Sequence, residues 1–172
     1  MVAGYLGSLG PRMSPMTHVR ALAAILAYSI PCIGASQSLG YQDADTPSEA
    51  VGMMKVSIVV AEVMRSECIA RFPNEQGTFD QDLNSWKTKE SVVLKRTEEA
   101  WASMLKREPD LATTIALAEK AVKANFELLS QLPQQPVTEV QLQYCRKHFR
   151  ELATGVSRQR IPKAYMFLEQ SP

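Results

Sequence analysis

The chain has 172 residues with 19 basic and 18 acidic side chains, a formal net charge of +1. A balance this even provides no basic face, so the composition argues against nucleic acid as a partner. The sequence contains three cysteines and two histidines but no Cys-x-x-Cys, Cys-x-x-Cys-His or His-Glu-x-x-His motif. Common zinc sites and covalent haem are therefore disfavoured. The sequence also lacks a Gly-rich phosphate loop and a Gly-x-Ser-x-Gly turn, which disfavours phosphate-loop nucleotide enzymes and α/β-hydrolases.

The first 35 residues have the order of a secretory signal peptide. Met16–Arg20 carries one firm positive charge, Ala21–Ile30 is apolar, Pro31 breaks the run, and the small residues Gly34–Ser36 follow. This charged, apolar, small-residue order is typical of a signal that is removed on export. We therefore predict that residues 1–35 are a start extension plus a signal peptide, and that the protein is periplasmic or secreted.

Alternatives to a cleaved signal are a membrane anchor, a core helix and a lipoprotein. The apolar run is ten residues long, well short of the roughly 20 needed to cross a bilayer. Pro31 directly before Cys32 disfavours lipidation of that cysteine. Residues 1–15 suit an over-extended start, with Met13 or Met16 as the true initiator. After cleavage we expect no stable membrane span.

About 137 residues remain after cleavage, enough for one domain with a real core. The removed part holds two basic residues and no acidic ones, so the remaining chain carries a net charge of −1. The densest basic cluster, Arg146–Arg150, is better explained as a solvated helix face than as an anion site. We predict a flexible leader at residues 36–45 and a helical bundle domain at residues 46–172.

The first half of this domain predicts two long helices. Thr46 begins the first one as a capping residue, with Glu49 reaching back, and the helix ends near Arg71 before Pro73. Its β-branched run at residues 56–60 is also compatible with a strand. A second helix is predicted to begin at Thr78 and to end before Pro109.

The second half predicts two more helices and an extension. Asp110 caps the third helix, whose apolar residues recur every three or four positions; they are Leu111, Ile115, Ala118, Val122, Phe126, Leu129 and Leu132. A capping box of Thr138 and Gln141 begins the fourth helix, which ends at Gly155. Residues 156–172 either pack across the bundle or form a short fifth helix. The predicted fold is an all-α, four-helix up-down bundle with a C-terminal extension.

The two cysteines outside the signal fit this topology. In an up-down order the C-terminal end of the first helix lies beside the N-terminal end of the fourth. Cys68 is near the former and Cys145 near the latter. We predict a disulfide between them, which export would permit. Two buried free thiols are the alternative.

Candidates for metal or haem chemistry are few. His148 is the only histidine after the signal, and Glu151 shares its helix face at a spacing used in metal-binding bundles. A haem held by His148 and a methionine such as Met54 is a further alternative. A helix-flank histidine explains His148 better, because the stripes around it are apolar. We therefore predict no metal and no cofactor.

The remaining candidate side chains are two tryptophans and two carboxylates. Trp86 and Trp101 lie on one predicted stripe, where core packing explains them better than ligand stacking does. Glu62 and Glu67 are carboxylates that an unrecognised bundle enzyme could use. Neither pair forms a known catalytic constellation, so we predict no catalytic residues.

The layout resembles that of small, helical, exported bacterial proteins of unassigned function. These have a cysteine near the end of the first helix, an aromatic residue shortly after, a tryptophan one helix later, and a partner cysteine in the last helix. Here those residues are Cys68, Phe72, Trp86 and Cys145, within a resemblance that spans residues 51–152. The resemblance implies an all-α, disulfide-linked domain and assigns no catalytic residue.

Together these patterns predict a non-enzymatic binding or interaction protein of the cell envelope or secreted space, with another protein as its partner. A carrier of a small apolar ligand in the bundle interior is the alternative, followed by a bundle enzyme or a haem protein. The hypothesis rests on the apolar stripes, helix caps and crosslink that the sequence contains and on the catalytic constellations that it lacks.

Export predicts a specific N-terminus. Mass spectrometry of the secreted form should find a chain that begins at Ser36 or Gln37, because the small residues 33–36 allow cleavage after Ala35 or Ser36. Peptides from residues 1–35 that persist in the exported protein would contradict cleavage.

Overall fold

The computed structural model describes residues 43–128 and 137–170. The predicted signal peptide and leader residues 36–42 lie outside the described residues. The described part is helical and contains no strand, which confirms the all-α fold class.

Seven α-helices and one 3₁₀ turn make up the described part. In chain order they are α1 (Pro47–Arg71), the 3₁₀ turn (Pro73–Glu75), α2 (Gln76–Lys89), α3 (Ser91–Arg107), α4 (Leu111–Leu128), α5 (Val137–Thr154), α6 (Val156–Arg160) and α7 (Pro162–Gln170).

Helix α1 begins and ends where the sequence predicts. The backbone N–H of Glu49 donates to the Thr46 hydroxyl and the N–H of Thr46 donates to the Glu49 carboxylate, both at 3.2 Å, which completes the capping box. The helix stops at Arg71, two residues before Pro73. The β-branched run at residues 56–60 is inside α1, so the strand interpretation is wrong.

The predicted second helix is two helices, separated at Glu90. It also begins earlier than predicted, at Gln76, and Glu75 stands at its N-terminus without a capping side-chain bond. The predicted start of this helix at Thr78 is therefore wrong. No proline or glycine marks the break at Glu90, and the break coincides with a tertiary contact described below.

The fourth predicted helix is α5, and only its C-terminus follows the predicted signal. Thr138 lies inside α5, and the Gln141 amide donates to the Phe126 carbonyl at 3.5 Å, so the capping box is wrong. Gly155 ends the helix with φ of +79°, a left-handed conformation that glycine adopts without a Cβ clash. The extension after it forms α6 and α7.

Helix α1 is the packing centre, in contact with α2, α3, α4, α5 and α7. Ion pairs give the direction of its neighbours. Lys55 pairs with Glu98 of α3, and Arg65 pairs with Asp80 of α2, so the chain of α2 and α3 runs antiparallel to α1. Residue numbers rise together where α4 meets α1, from Val56 beside Ala118 to Arg71 beside Glu127, so these two helices run in the same direction.

Helix α5 lies beside α2 and runs in the same direction. Glu75 pairs with Arg146 at 2.6 Å, and Asp82 pairs with Arg150 at 3.8 Å, one to two turns farther along both helices. The closed four-helix up-down arrangement stays a prediction, because these pairs give directions and not a ring of four neighbours.

The predicted pairing of Cys68 with Cys145 is confirmed at disulfide distance. Their Cα atoms are 6.0 Å apart, within the usual range for a bonded pair, and both residues are fully buried. The bond joins the C-terminal end of α1 to the third turn of α5, two segments 77 residues apart in sequence.

Residues 43–45, which the sequence assigns to the flexible leader, pack against α7. The Asp43 carboxylate accepts hydrogen bonds from the backbone N–H of Lys163 at 2.7 Å and of Ala164 at 3.1 Å. Ala44 beside it is fully buried. These three residues therefore belong to the folded domain, and Asp43 caps a helix near the opposite end of the sequence.

None of the helices in residues 43–128 and 137–170 combines the length and apolar character that a membrane span requires.

Removal of the disulfide should lower stability substantially. Replacing Cys68 and Cys145 together by alanine frees a loop of 77 residues in the unfolded chain, and the loop-entropy relation gives a loss of about 4 kcal/mol. Urea unfolding measures the change, and reduction of the unmodified protein is the matched control. Equal stability of the double variant and the oxidised, unmodified protein would contradict the crosslink, as would two free thiols in the exported protein.

Candidate functional site

His148 is a neutral, enclosed histidine on α5. Its side chain is partly exposed as a whole, but Nε2 is buried and has no hydrogen-bond partner among the described residues. Its ring meets the edge of Phe149 with centroids 5.2 Å apart. Burial, and to a smaller extent the nearby charge of Arg160, lowers the His148 pKa from 6.5 to about 4.

The predicted partners of His148 are engaged elsewhere. Glu151 pairs with Arg160 at 3.0 Å and more loosely with Lys147, and no hydrogen bond joins it to His148 in the described part. Because α5 is antiparallel to α1 and fixed at Cys68, His148 is level with residue 65 of α1. Met54 is about 16 Å farther along that helix, too far to share an iron atom with His148.

The helices bring together neither a metal site nor the two carboxylate candidates. No group of three or more His, Cys, Asp or Glu within the described ranges is placed to hold a metal ion. Glu62 pairs with Lys87 of α2. Glu67 is five residues later on α1, so it lies on a different face and does not converge with Glu62.

The two tryptophans are core residues. Trp86 and Trp101 are buried in the same apolar cluster as Phe79, Val93 and Tyr165. The Trp86 indole N–H lies close enough to the Tyr165 hydroxyl to favour its ionised form, but it does not reach hydrogen-bond geometry. This placement agrees with the packing role predicted for both rings.

A polar cluster, buried at Glu90, Ser157 and Tyr165, lies at the break between α2 and α3. The Glu90 side chain is 7% exposed and its carboxylate accepts from Arg158 of α6 at 2.6 Å. The same guanidinium donates to Glu169 at 2.6 Å and stacks 4.4 Å above the Tyr165 ring. The Tyr165 hydroxyl is 3.1 Å from the Ser157 hydroxyl.

Electrostatics explain why these groups stay together. The Glu90 hydrogen bond raises the Arg158 pKa above its ordinary value, so the guanidinium is charged at all relevant pH values. Burial raises the Tyr165 pKa, so the phenol stays neutral and can share its proton with Ser157. Their polar groups are satisfied by one another, which makes the cluster a link between α2, α3, α6 and α7.

The surface of α4 is the candidate binding site. Four apolar residues, Leu117, Ala121, Ala124 and Leu128, lie along one side of this helix, and we call them the α4 flank. Leu117 is 49% exposed and Leu128 is 54% exposed, two of the four large apolar side chains most open to solvent in the described part. Single exposed leucines are ordinary, but two on one helix side form a patch.

One charge of each sign borders the α4 flank. Lys120 is exposed and lies one turn after Leu117. Glu127, which pairs with Arg71 of α1, lies beside Leu128 and keeps a half-exposed side chain. Helix α4 contacts α1 along its other side and α3 near the connecting turn, so the flank faces away from both.

The α4 flank has a sequence signal of its own, separate from the core stripe of the same helix. Residues 117, 121, 124 and 128 are spaced by four, three and four positions, as in a heptad repeat. The core stripe that contains Ile115, Ala118 and Val122 has the same spacing on a neighbouring side. Two apolar repeats on one helix indicate two packing surfaces, and α1 covers only one of them.

Comparison of the chain with protein-family models, with curated proteins and with solved structures finds no match. The resemblance to exported bacterial proteins therefore stays a prediction, and the site is argued from its geometry.

The enclosed histidine predicts a stability change in mild acid. The unfolded chain binds a proton at His148 near pH 6.5 but the folded chain only near pH 4. Stability is therefore lost as the pH falls through this window, by about 2 kcal/mol between pH 7 and pH 5. Urea unfolding of a chain that begins at Ser36, with His148 its only histidine, measures the loss.

Two variants serve as comparisons for this pH effect. His148→Leu should give nearly the same free energy of unfolding at pH 7 and pH 5, because nothing in that window then titrates at this position. Glu75→Gln should keep the loss, because the Arg146 pair lowers the Glu75 pKa below its ordinary value of 4.5. A pH slope that survives in His148→Leu would show that another group causes it.

Proposed function

We propose that this chain is a non-enzymatic, exported helical protein that acts by binding another protein in the cell envelope or secreted space. The observation that carries the proposal is the α4 flank, with Leu117 and Leu128 half-exposed on one side of a helix. Apolar patches bordered by charged residues are typical of protein interaction surfaces.

The arrangement around the α4 flank supports a stable presentation of this surface. Val122 and Phe126 anchor α4 in the core, and Ala118 packs against Val56 of α1. Arg71 holds the C-terminal end through Glu127 and also lies 5.2 Å from the centre of the Phe126 ring. A helix fixed in this way offers a preorganised face, which limits the entropy lost on binding.

Export and the bundle topology are parts of the same proposal. A buried cysteine pair at disulfide distance suits an oxidising compartment, since such bonds are rare in reducing ones. We also infer that α1, the α2–α3 pair, α4 and α5 form an up-down bundle. The antiparallel course of α2 and α3 along α1, and the common direction of α1 and α4, support it.

Photo-crosslinking tests the proposed surface. A photoreactive amino acid introduced at Leu117 should give a covalent protein adduct when the producing cells are irradiated, because the side chain would lie within the interface. The same amino acid at Val92 is the control, since Val92 is 59% exposed but lies on α3.

The adducts are separated by mass and identified by sequencing of their peptides. An adduct that forms at position 117, not at position 92, and is lost in Leu128→Glu would support the α4 flank. Equal yields at both positions, or no adduct at position 117, would contradict it.

A further inference from the structure

We propose that the α4 flank binds the α4 flank of a second copy of this chain, with the two helices antiparallel. This inference rests on the proposed function, because it names the partner of the same surface. The pattern of apolar and charged residues along α4 carries it.

The apolar residues of the α4 flank are self-complementary. Leu117 and Leu128 lie three turns apart, and Ala121 and Ala124 stand between them. An antiparallel pair related by a two-fold axis near residues 122 and 123 places each Leu117 opposite the partner's Leu128. The same axis places Ala121 opposite the partner's Ala124, where small side chains allow the helices to approach closely. Such matching of one patch with itself defines a two-fold interface.

The charges select the antiparallel orientation. In the heptad numbering of the α4 flank, Lys120 and Glu127 both occupy the position before an inner residue, conventionally called g. Two g positions face each other in an antiparallel pair, so each Lys120 meets the partner's Glu127 and the contact occurs twice. In a parallel pair Lys120 would instead face Asn125 and form no ion pair.

Glu127 can take part although it already pairs with Arg71. Its side chain remains 56% exposed, and a carboxylate offers two oxygens with about four acceptor positions. The partner's Lys120 would therefore pair with a carboxylate that α1 already holds in place. The Glu127 carboxylate is therefore already positioned within each copy before the two copies meet.

The contact should be reversible and should stop at two copies. A single helix pair with two leucines and two alanines on each side is at the small end of specific interfaces. We expect a dissociation constant on the order of 10 μM. Because the patch matches itself about a two-fold axis, pairing uses the surface fully and forms no chain of copies.

Sedimentation equilibrium of the oxidised chain that begins at Ser36 tests the pairing. The unmodified protein should pass from monomer to dimer as its concentration rises through the micromolar range. Leu117→Glu should weaken the dimer at least tenfold, while Val92→Glu, a charge placed on another exposed apolar side chain, should leave it unchanged.

Charge reversal tests the orientation. Lys120→Glu and Glu127→Lys should each weaken self-association, because each places like charges opposite one another twice. An equimolar mixture of the two variants should dimerise again, since the mixed pair restores both ion pairs. Lys95→Glu, the same reversal on an exposed lysine of α3, is the matched control for Lys120→Glu.

Three results would overturn the inference. One is a chain that stays monomeric up to about 1 mM; another is equal weakening by Val92→Glu or Lys95→Glu; the third is a mixture that does not reassociate. The crosslink at position 117 separates this failure from that of the proposed function. An adduct of two copies supports the inference, an adduct with a different protein overturns only the inference, and no adduct overturns both.

Discussion

The packing of α1 against five other helices is the contact on which this fold depends. Five of its seven buried residues form one stripe: Ala50, Met54, Ala61, Met64 and Cys68. Val51, Val56 and the partly buried Met53, Ile58, Val60 and Val63 add apolar contacts on the other sides. A helix that is apolar on most sides is stable only when several neighbours cover it. Helices α2, α3, α4 and α7 therefore meet at α1, and among the described residues α4 has one side covered and one side exposed.

Local signals in the sequence predicted the features that depend on neighbouring residues. Thr46 with Glu49, the stop before Pro73 and the turn at Gly155 are set by backbone geometry within a few positions. The break at Glu90 carries no proline or glycine signal, and the carboxylate there pairs with Arg158, 68 residues later. A buried carboxylate needs a partner, and a partner that distant leaves no trace in the local sequence pattern.

The C-terminal helix α7 shows the same dependence on distant residues. A nine-residue helix is marginal alone. Asp43 supplies negative charge at its N-terminus, and Arg96 donates to the carbonyls of Leu168 and Glu169 at its C-terminus. Each charge opposes the helix dipole at that end. Both ends are held by residues more than 70 positions away. Local sequence patterns therefore could not decide the structure of residues 156–172.

Helix α4 shows why the proposed binding surface was harder to predict than the core. Both of its apolar repeats have helical spacing, so periodicity alone does not say which one is buried. Both repeats contain alanine, but the buried repeat adds Ile115, Val122 and Phe126, whereas the α4 flank has two alanines between two leucines. The larger, stiffer side chains gain more from burial within one chain. The smaller set loses less when it faces water, and that balance suits a surface which is covered only when a partner is present.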